Sequence, residues 1–226
     1  MVLFKYNLSY IIERIFRGEI KMRKKFITIE RQYGTGGSNI GKLVAEKLGI
    51  NYYNREILEI TAKKCDIAPD KLENAEENVP TSFLYSLMLA SNFSRSYENN
   101  LPLSDRVFII ESQVIKELAE ENDSFVLVGR CGNYVLEEYG TFGVFIYGDK
   151  KKRIERAIND YKIEPKKAES VLKKTDKRRE VFYNTNSDRL WQDKDQYALC
   201  LNSTELGDEL CAEIIVNAFK KYCEDK

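Results

Sequence analysis

Three short apolar runs constrain the fold of this chain more than any other feature. Ser124–Val128 (SFVLV), Gly143–Tyr147 (GVFIY) and Tyr197–Leu201 (YALCL) are nearly continuous in hydrophobic residues, without polar alternation. Strands have this pattern when both of their faces are buried, which is typical of parallel sheets covered by helices. The runs are separated by segments with helical spacing of apolar residues. The sequence therefore predicts an α/β fold with a parallel sheet between helical layers.

The segments around these runs complete the predicted alternation of strands and helices. A first β-branched run, KFITIE, is predicted to be a strand at 25–30, and a shorter strand is predicted at 50–53. Apolar residues recur at helical spacing from Ile40 to Leu48, and Gly49 is expected to end that helix. Further helices are predicted at about 55–65, 105–121 and 206–222. The polar, proline-containing stretch at about 66–104 is predicted to be an insert of helices and loops.

The composition excludes several classes of site. The 226 residues include no histidine, so a Ser–His–Asp triad, a Cys–His pair and a histidine metal site are all excluded. The 36 basic and 36 acidic residues cancel, unlike the strongly basic composition of a dedicated nucleic-acid coat protein. A hydrophobic content of 43% is enough for the core of one sizeable domain.

The cysteines and the N-terminal segment indicate a cytoplasmic protein. The five cysteines are widely spaced, odd in number and without a CxxC pair, so we expect reduced thiols. No apolar run reaches the roughly 20 residues needed to span a bilayer. Residues 1–22 are predicted to be an N-terminal extension, disordered or forming a short amphipathic helix. Because Arg17-Gly18-Glu19 is what a translated ribosome-binding sequence would encode, we expect the natural start at Met22.

A glycine-rich loop joins the first strand to the first long helix. The stretch from Gly34 to Asn39 (GTGGSN) can wrap an anion, because glycines let backbone amides approach phosphate oxygens at a helix N-terminus. The pattern G-x-x-x-x-G-K-[ST] fits in part, since Gly36 takes the second glycine position and Ser38 the hydroxyl position. Arg31 stands in place of the first glycine, and Gly37 stands in place of the lysine. The alternative interpretation is a structural strand–turn–helix corner.

Several segments in a fixed order resemble one family. They are ERQYGTGGSNIGKLVAEKLG, NYYNREIL, FVLVGRCGNYVL, TDKRREVFYN and LWQDKDQYALCLNSTELG. Together they resemble the cytidylate kinase-like branch of the nucleoside monophosphate kinases. The resemblance implies a three-layer α/β/α P-loop kinase domain over residues 23–226, with a five-stranded parallel sheet. It also implies a helical monophosphate-binding insert at about 66–104, a basic lid at about 162–186, ATP and Mg²⁺ as the phosphoryl donor, and CMP or dCMP as the acceptor.

The resemblance assigns the donor site to the glycine loop. Backbone amides of this loop would hold the donor phosphates, and the hydroxyl of Ser38 would be a ligand of Mg²⁺. The residues concerned are Gly34, Thr35, Gly36, Gly37, Ser38 and Asn39. A simple N-cap is the alternative role for Ser38, and the two roles are compatible.

The acceptor site is assigned to arginines near strand ends. Arg130 follows the strand Ser124–Val128 at its carboxyl end, where open α/β sheets bind ligands. The resemblance makes Arg130 a catalytic and acceptor-binding residue, and an ion pair with a nearby carboxylate is the alternative. Arg106 is carried over as a ligand of the acceptor phosphate, or is a solvated residue at a helix start. Asn54 and Arg55 are predicted to contact the acceptor on a looser match.

The segment 150–179 contains 13 basic and 5 acidic residues, so it carries +8 against −8 for the rest of the chain. A solvated helical face and a nucleic-acid stripe are both possible interpretations. Tyr161 is its one aromatic residue, which disfavours stacking on single-stranded nucleic acid. The resemblance instead makes this region part of the lid. It would bring Arg178 or Arg179 onto the transferred phosphoryl group, with Asp176 orienting them.

Two departures from the family pattern keep other functions open. Gly37 replaces the usual P-loop lysine, and Val128 replaces the aspartate that precedes Gly-Arg in cytidylate kinases. The leading hypothesis is a kinase of CMP or dCMP whose partners are small-molecule nucleotides. The alternatives are a non-catalytic nucleotide- or anion-binding module, a kinase of another small acceptor, and a nucleic-acid binder, which is disfavoured. No membrane partner is expected, and the oligomeric state is not predicted.

Overall fold

The computed structural model describes residues 25–65 and 103–224. They contain a five-stranded sheet in the order β2-β3-β1-β4-β5, in which every pair of neighbouring strands is parallel. The strands are β1 (Ile27–Arg31), β2 (Asn51–Tyr53), β3 (Phe125–Val128), β4 (Phe142–Tyr147) and β5 (Leu199–Asn202). The parallel sheet expected from the apolar runs is therefore confirmed.

Helices connect the strands and cover the sheet. They are α1 (Gly37–Leu48), α2 (Glu56–Cys65), α3 (Leu103–Glu121), α4 (Gly132–Val135), α5 (Lys150–Asn159), α6 (Pro165–Asn186), α7 (Ser203–Leu206) and α8 (Asp208–Glu224). Gly49 ends α1 in a left-handed conformation, and its amide is bonded to carbonyls of the last turn. This is the C-terminal stop that the sequence predicted.

Two hydrophobic layers lie on opposite faces of the sheet. On one face α1 and α8 pack on the strands, for example through Val44 and Ile215. On the other face α3 packs through Phe108 and Ile115, together with Trp191 from the segment before β5. The predicted three-layer α/β/α arrangement is confirmed.

The alternation along β1 prepares the functional site. Ile27 and Ile29 point into the layer under α1 and α8, whereas Phe26 belongs to the layer under α3. Because successive side chains of a strand point to opposite faces, Glu30 and Arg31 leave the end of β1 in opposite directions. Both are charged, and both stand where β1 meets the glycine loop.

The predicted N-terminal extension at 1–22 and nearly all of the predicted insert at 66–104 lie outside the described residues. Residues 103 and 104 begin α3. Over the described ranges, no helix is both long and apolar enough to cross a bilayer.

Candidate functional site

A cleft opens at the carboxyl ends of β1, β2 and β3, beside the glycine loop. Its volume is about 360 Å³. The lining residues are Glu30, Arg31, Tyr33, Ser38, Asn54, Arg55, Leu58, Arg130, Cys131, Arg178, Arg179, Phe182 and Tyr183. Five of these side chains are arginines and one is a carboxylate, so the cleft carries a large excess of positive charge. The carboxyl edge of an open parallel sheet is the usual place for a ligand.

The N-terminus of α1, at the end of the glycine loop, borders this cleft at Ser38. Gly36 is left-handed (φ 74°) and caps α1, and the amide of Ile40 donates to its carbonyl at 2.9 Å. The amides of Gly37, Ser38 and Asn39 precede this first helical bond, so they lie at the open end of the helix. Such amides attract anions, aided by the helix dipole.

Two arginines on α5, Arg153 and Arg156, bind carbonyls at the glycine loop, and we call them the outer arginines. Arg153 donates to the carbonyl of Tyr33 at 3.1 Å, and Arg156 donates to the carbonyl of Thr35 at 3.4 Å. The hydroxyl of Ser203 donates to the same Thr35 carbonyl at 2.8 Å. The carbonyls of Tyr33 and Thr35 are therefore bonded on the side of the loop where α5 packs.

Each outer arginine also has a carboxylate partner. Arg153 is 2.7 Å from Asp176, whose other oxygen accepts the amide of Tyr33 at 2.6 Å. Arg156 binds both oxygens of Asp208, at 2.7 and 2.5 Å, and this hydrogen bond raises its pKa. These pairs fix the shape of the loop and leave little charge for a ligand.

Of the five arginines that line the cleft, we call Arg31, Arg130, Arg178 and Arg179 the inner arginines. Arg179 donates to the carbonyl of Arg31 at 2.8 Å. Burial, and then the charge of Arg31, lower the pKa of Arg179. Burial likewise lowers the pKa of Arg31, and the charge of Arg178 adds to this effect. Like charges held together out of water are stabilised by a bound anion.

Arg130 lies in a strained turn after β3. Gly129, Arg130 and Cys131 have φ values of 79°, 62° and 52°, three successive residues in the left-handed region. For residues with a side chain this conformation costs about 1–3 kcal/mol each, and such strain concentrates at functional sites. Arg130 Nη1 is 3.2 Å from Oε1 of the buried Glu111. The ion pair with a carboxylate, which was the alternative role expected for Arg130, is therefore present. Arg130 lines the cleft as well.

Glu30 is a residue of the cleft that sequence reasoning missed. Its carboxylate is 5% exposed and accepts a hydrogen bond from Trp191 Nε1 at 3.0 Å. Burial raises the pKa of Glu30, while Arg31 and the bond from Trp191 lower it. Tyr197 donates to the carbonyl of Trp191 at 2.6 Å, and its ring packs on Phe145. The Trp191–Tyr197 stretch, for which the sequence indicated no role, thus holds Glu30 in place.

The profile of the cytidylate kinase-like family matches residues 26–205. The chain belongs to the cytidylate kinase-like family. The suspected resemblance is thereby confirmed, and no curated protein matches the sequence.

Solved structures similar to this family member were also found. An uncharacterized protein from Eubacterium ventriosum is 25% identical, with a TM-score of 0.64, and the match covers 86% of this chain and 98% of that one. A shikimate kinase from Bacteroides thetaiotaomicron is 14% identical, with a TM-score of 0.49 and coverages of 88% and 98%. A deoxyadenosine kinase from M. mycoides is 16% identical, with a TM-score of 0.43 and coverages of 87% and 99%.

The remaining residues expected in a cytidylate kinase-like site lie in several places. Asn54 and Arg55 line the cleft, and the Asn54 amide is 3.5 Å from the Ser38 hydroxyl. Asn39 is exposed, and its side chain binds Asp208 at 2.8 Å. Asp176 binds Arg153, and its charge also acts on Arg179. Arg106 is part of α3, but its side chain lies outside the described residues.

The two departures from the family's usual motifs also have definite positions. Val128 is 1% exposed and packs in the layer under α1, on the face of the sheet opposite Glu30. Lys42, one helical turn beyond Gly37, is exposed and lies 4.0 Å from Glu46. Residues 165–186 of the expected lid form the continuous helix α6. Its action as a lid stays a prediction.

Proposed function

We propose that this protein is an ATP-dependent phosphotransferase that transfers the γ-phosphoryl group of ATP to CMP or dCMP. The observation that carries the proposal is the cleft beside the glycine loop, lined by five arginines and one carboxylate. Membership of the cytidylate kinase-like family supports the nucleotide acceptor. Phosphoryl transfer depends mainly on positioning and on electrostatic stabilisation, which arginines and backbone amides supply.

The reaction needs no histidine. An oxygen of the acceptor phosphate forms a bond to the γ-phosphorus, while the bond from that phosphorus to the β,γ-bridging oxygen breaks. The electron pair of the broken bond leaves with ADP. Because the second pKa of a phosphate monoester is about 6, the attacking oxygen is already ionised at neutral pH and requires no general base. This chemistry is compatible with a chain that lacks imidazole.

The described residues divide into donor and acceptor roles. The amides of the glycine loop, from Gly34 to Asn39, would bind the donor phosphates. Arg130 would bind the acceptor phosphate, together with Asn54 and Arg55. Arg178 and Arg179 would neutralise the charge of the transferred phosphoryl group, and Asp176 acts electrostatically on Arg179.

A magnesium ion is compatible with the donor set of the cleft. In the described ranges, no cluster of three or more acidic or cysteine side chains could hold a metal on its own. Mg²⁺ commonly binds through one or two protein oxygens and the substrate's phosphates. The Ser38 hydroxyl and the Glu30 carboxylate are such oxygens, and both line the cleft. When bound, the ion would neutralise phosphate charge.

One observation favours a second candidate, a kinase of a small acceptor with a hydroxyl group. A hydroxyl nucleophile needs a base, and Glu30 is a carboxylate in the cleft whose pKa burial raises. The excess of arginines over carboxylates favours the phosphate-bearing acceptor instead. The two candidates differ in which acceptor is turned over.

A coupled ADP-release assay tests the proposal. The purified protein with ATP and Mg²⁺ is tested with CMP, dCMP, UMP, AMP and GMP, and with nucleosides as hydroxyl acceptors. We expect turnover with CMP or dCMP, and a loss of turnover in Arg130→Ala. Lys42→Ala removes one exposed charge outside the cleft and serves as the matched control. Binding of ATP without turnover of any acceptor would contradict the proposal and favour a non-catalytic binding module.

A further inference from the structure

The side chain of Arg31 runs from the glycine loop to the turn that precedes Arg130. Its first carbons lie over Gly37, where a Cβ would be 2.6 Å from Arg31 Cβ and 2.7 Å from Cγ. Its guanidinium ends over Gly129, where a Cβ would collide with Arg31 Nη1. Gly37 begins α1 at the glycine loop, and Gly129 directly precedes Arg130. The guanidinium therefore lies between the loop and the acceptor arginine.

The guanidinium of Arg31 has a hydrogen-bond donor without a partner. Its Nε is buried without a hydrogen-bond partner, and among the described residues no ion pair is formed by its side chain. The outer arginines also have an Nε without a hydrogen-bond partner, but each binds an aspartate through its Nη atoms. Glu30 is close enough to act on Arg31 electrostatically, but its carboxylate is bonded to Trp191. A buried polar group without a partner is costly, so a ligand is expected to satisfy it.

We propose that Arg31 supplies the cation that the glycine loop lacks, by contacting the phosphoryl group as it passes from donor to acceptor. The inference rests on the proposed function for the identity of the substrates. A guanidinium is permanently charged and offers two parallel donors to phosphate oxygens. Placed between the two phosphate sites, it neutralises charge that develops during transfer.

The inference also explains the glycine at the lysine position. A lysine at position 37 would need a Cβ in the space that Arg31 occupies. Apart from Arg31, the nearest atom to such a Cβ is Thr35 Oγ1 at 3.6 Å, an ordinary contact distance. The φ of Gly37 is not positive, so its backbone accepts a side chain. Arg31 and a lysine at this position therefore exclude each other.

A binding experiment tests the cation role without requiring turnover. Inorganic tripolyphosphate is titrated calorimetrically into the wild-type protein, Arg31→Ala and the control Lys42→Ala. We expect Arg31→Ala to lose affinity by about tenfold or more, since a hydrogen bond to a charged group contributes roughly that factor. Lys42→Ala should bind as the wild type does. Equal affinity of Arg31→Ala and the wild type would overturn the inference.

A charge-swap experiment tests the position of the cation. Arg31→Gly together with Gly37→Lys converts residues 31–38 to the pattern G-x-x-x-x-G-K-S. We expect Arg31→Gly alone to lose tripolyphosphate affinity, and the double variant to recover it to within about threefold of the wild type. Gly37→Lys alone should lower the melting temperature, because Arg31 still occupies the space. A double variant that binds no better than Arg31→Gly would count against the inference.

Turnover separates this inference from the proposed function. With an active acceptor, Arg31→Ala should lower kcat by about 10²–10³-fold, the cost of removing one donor to a developing charge. Restoration of part of this loss by added guanidinium ion would support a chemical role, and unchanged kcat would overturn it. If the wild type turns over no acceptor, the proposed function fails, while the tripolyphosphate titrations still decide the role of Arg31.

Discussion

The inner and the outer arginines both lie near the glycine loop, but their partners differ. On the α5 side, Arg153 and Arg156 each bind an aspartate and donate to loop carbonyls. On the cleft side, Arg130 pairs with the buried Glu111, and Arg31 and Arg179 lie near one lining carboxylate, Glu30. The residue type is the same, but the balance of charge differs. The outer arginines stabilise the loop, whereas Arg31 and Arg179 leave positive charge for a ligand.

The difference shows how a net charge along the sequence can mislead. The segment 150–179 carries +8, and its charge alone suggests one basic surface. In the fold, its arginines belong to both groups. Arg156 is neutralised by Asp208, which lies 52 positions further along the chain. Arg179 faces the cleft beside Arg31. Spatial pairing with carboxylates therefore indicates the charge available to a ligand better than the charge of a segment does.

The largest expected effect separates the two groups by activity. Arg179→Ala should lower kcat by about 10²–10³-fold, as for other donors to a developing charge. The melting temperature should change little, because burial and the charge of Arg31 both disfavour the guanidinium in the folded state. Acceptor turnover and thermal unfolding are measured on the same preparation. A variant that keeps its kcat but unfolds at a much lower temperature would place Arg179 among the outer arginines.

A smaller effect is expected on stability when an outer arginine is removed. Arg156→Ala should lower the free energy of unfolding by about 1–2 kcal/mol, less than a fully buried pair because both partners retain some exposure. Urea unfolding measures the loss. Adding Asp208→Ala should recover part of it, since no carboxylate is then left unpaired. A hundredfold loss of kcat with unchanged stability would move Arg156 to the inner group.

Trp191→Phe tests the role of Glu30, the one carboxylate that lines the cleft. Loss of the bond to Glu30 should lower the free energy of unfolding by about 1 kcal/mol. Trp191 lowers the pKa of Glu30, so its removal should raise that pKa and shift the acidic limb of the activity profile to higher pH. A profile of kcat against pH checks this shift. An unchanged limb would show that ionised Glu30 is not needed for activity.

The same pKa shift predicts how stability depends on pH. Burial raises the pKa of Glu30 in the folded state above its unfolded value. Because its pKa is raised, the protonated form of Glu30 is favoured in the folded state. The contribution of Glu30 to the free energy of unfolding is therefore present below the unfolded pKa and is lost as the pH rises through the folded pKa. Glu30→Gln should remove this decrease in the free energy of unfolding with rising pH. Urea unfolding across that pH window, with the wild type alongside, measures it.

The smallest expected effect concerns Lys42, a charge near the loop that belongs to neither group. It is exposed and its nearest acid is Glu46, 4.0 Å away. Lys42→Ala should change kcat less than twofold and the free energy of unfolding by less than about 0.5 kcal/mol. The coupled assay and urea unfolding check both values. A large loss of activity would contradict the assignment of the loop's cation to Arg31.

The fold and part of the site could be predicted from local sequence. Continuous apolar runs predicted the parallel strands, and the glycine loop and Arg130 were placed at the correct edge of the sheet. Glu30 and Arg31 were missed as residues of the cleft, although two charged residues at the end of an apolar strand were a usable signal. Their roles depend on distant partners, because Trp191 is 161 positions from Glu30. Contacts of this range follow from the packing of the sheet and have no local pattern.

The activity proposed for the cleft is the transfer of a phosphoryl group between two phosphates. Phosphorus NMR of the protein with ATP, Mg²⁺ and CMP tests it most directly, because it identifies the product that receives the group. We expect ATP to be converted to ADP while CDP resonances rise by an equal amount, and we expect Arg130→Ala to abolish both changes. Unchanged ATP with every acceptor, or release of its γ-phosphate only as inorganic phosphate, would contradict the proposed function.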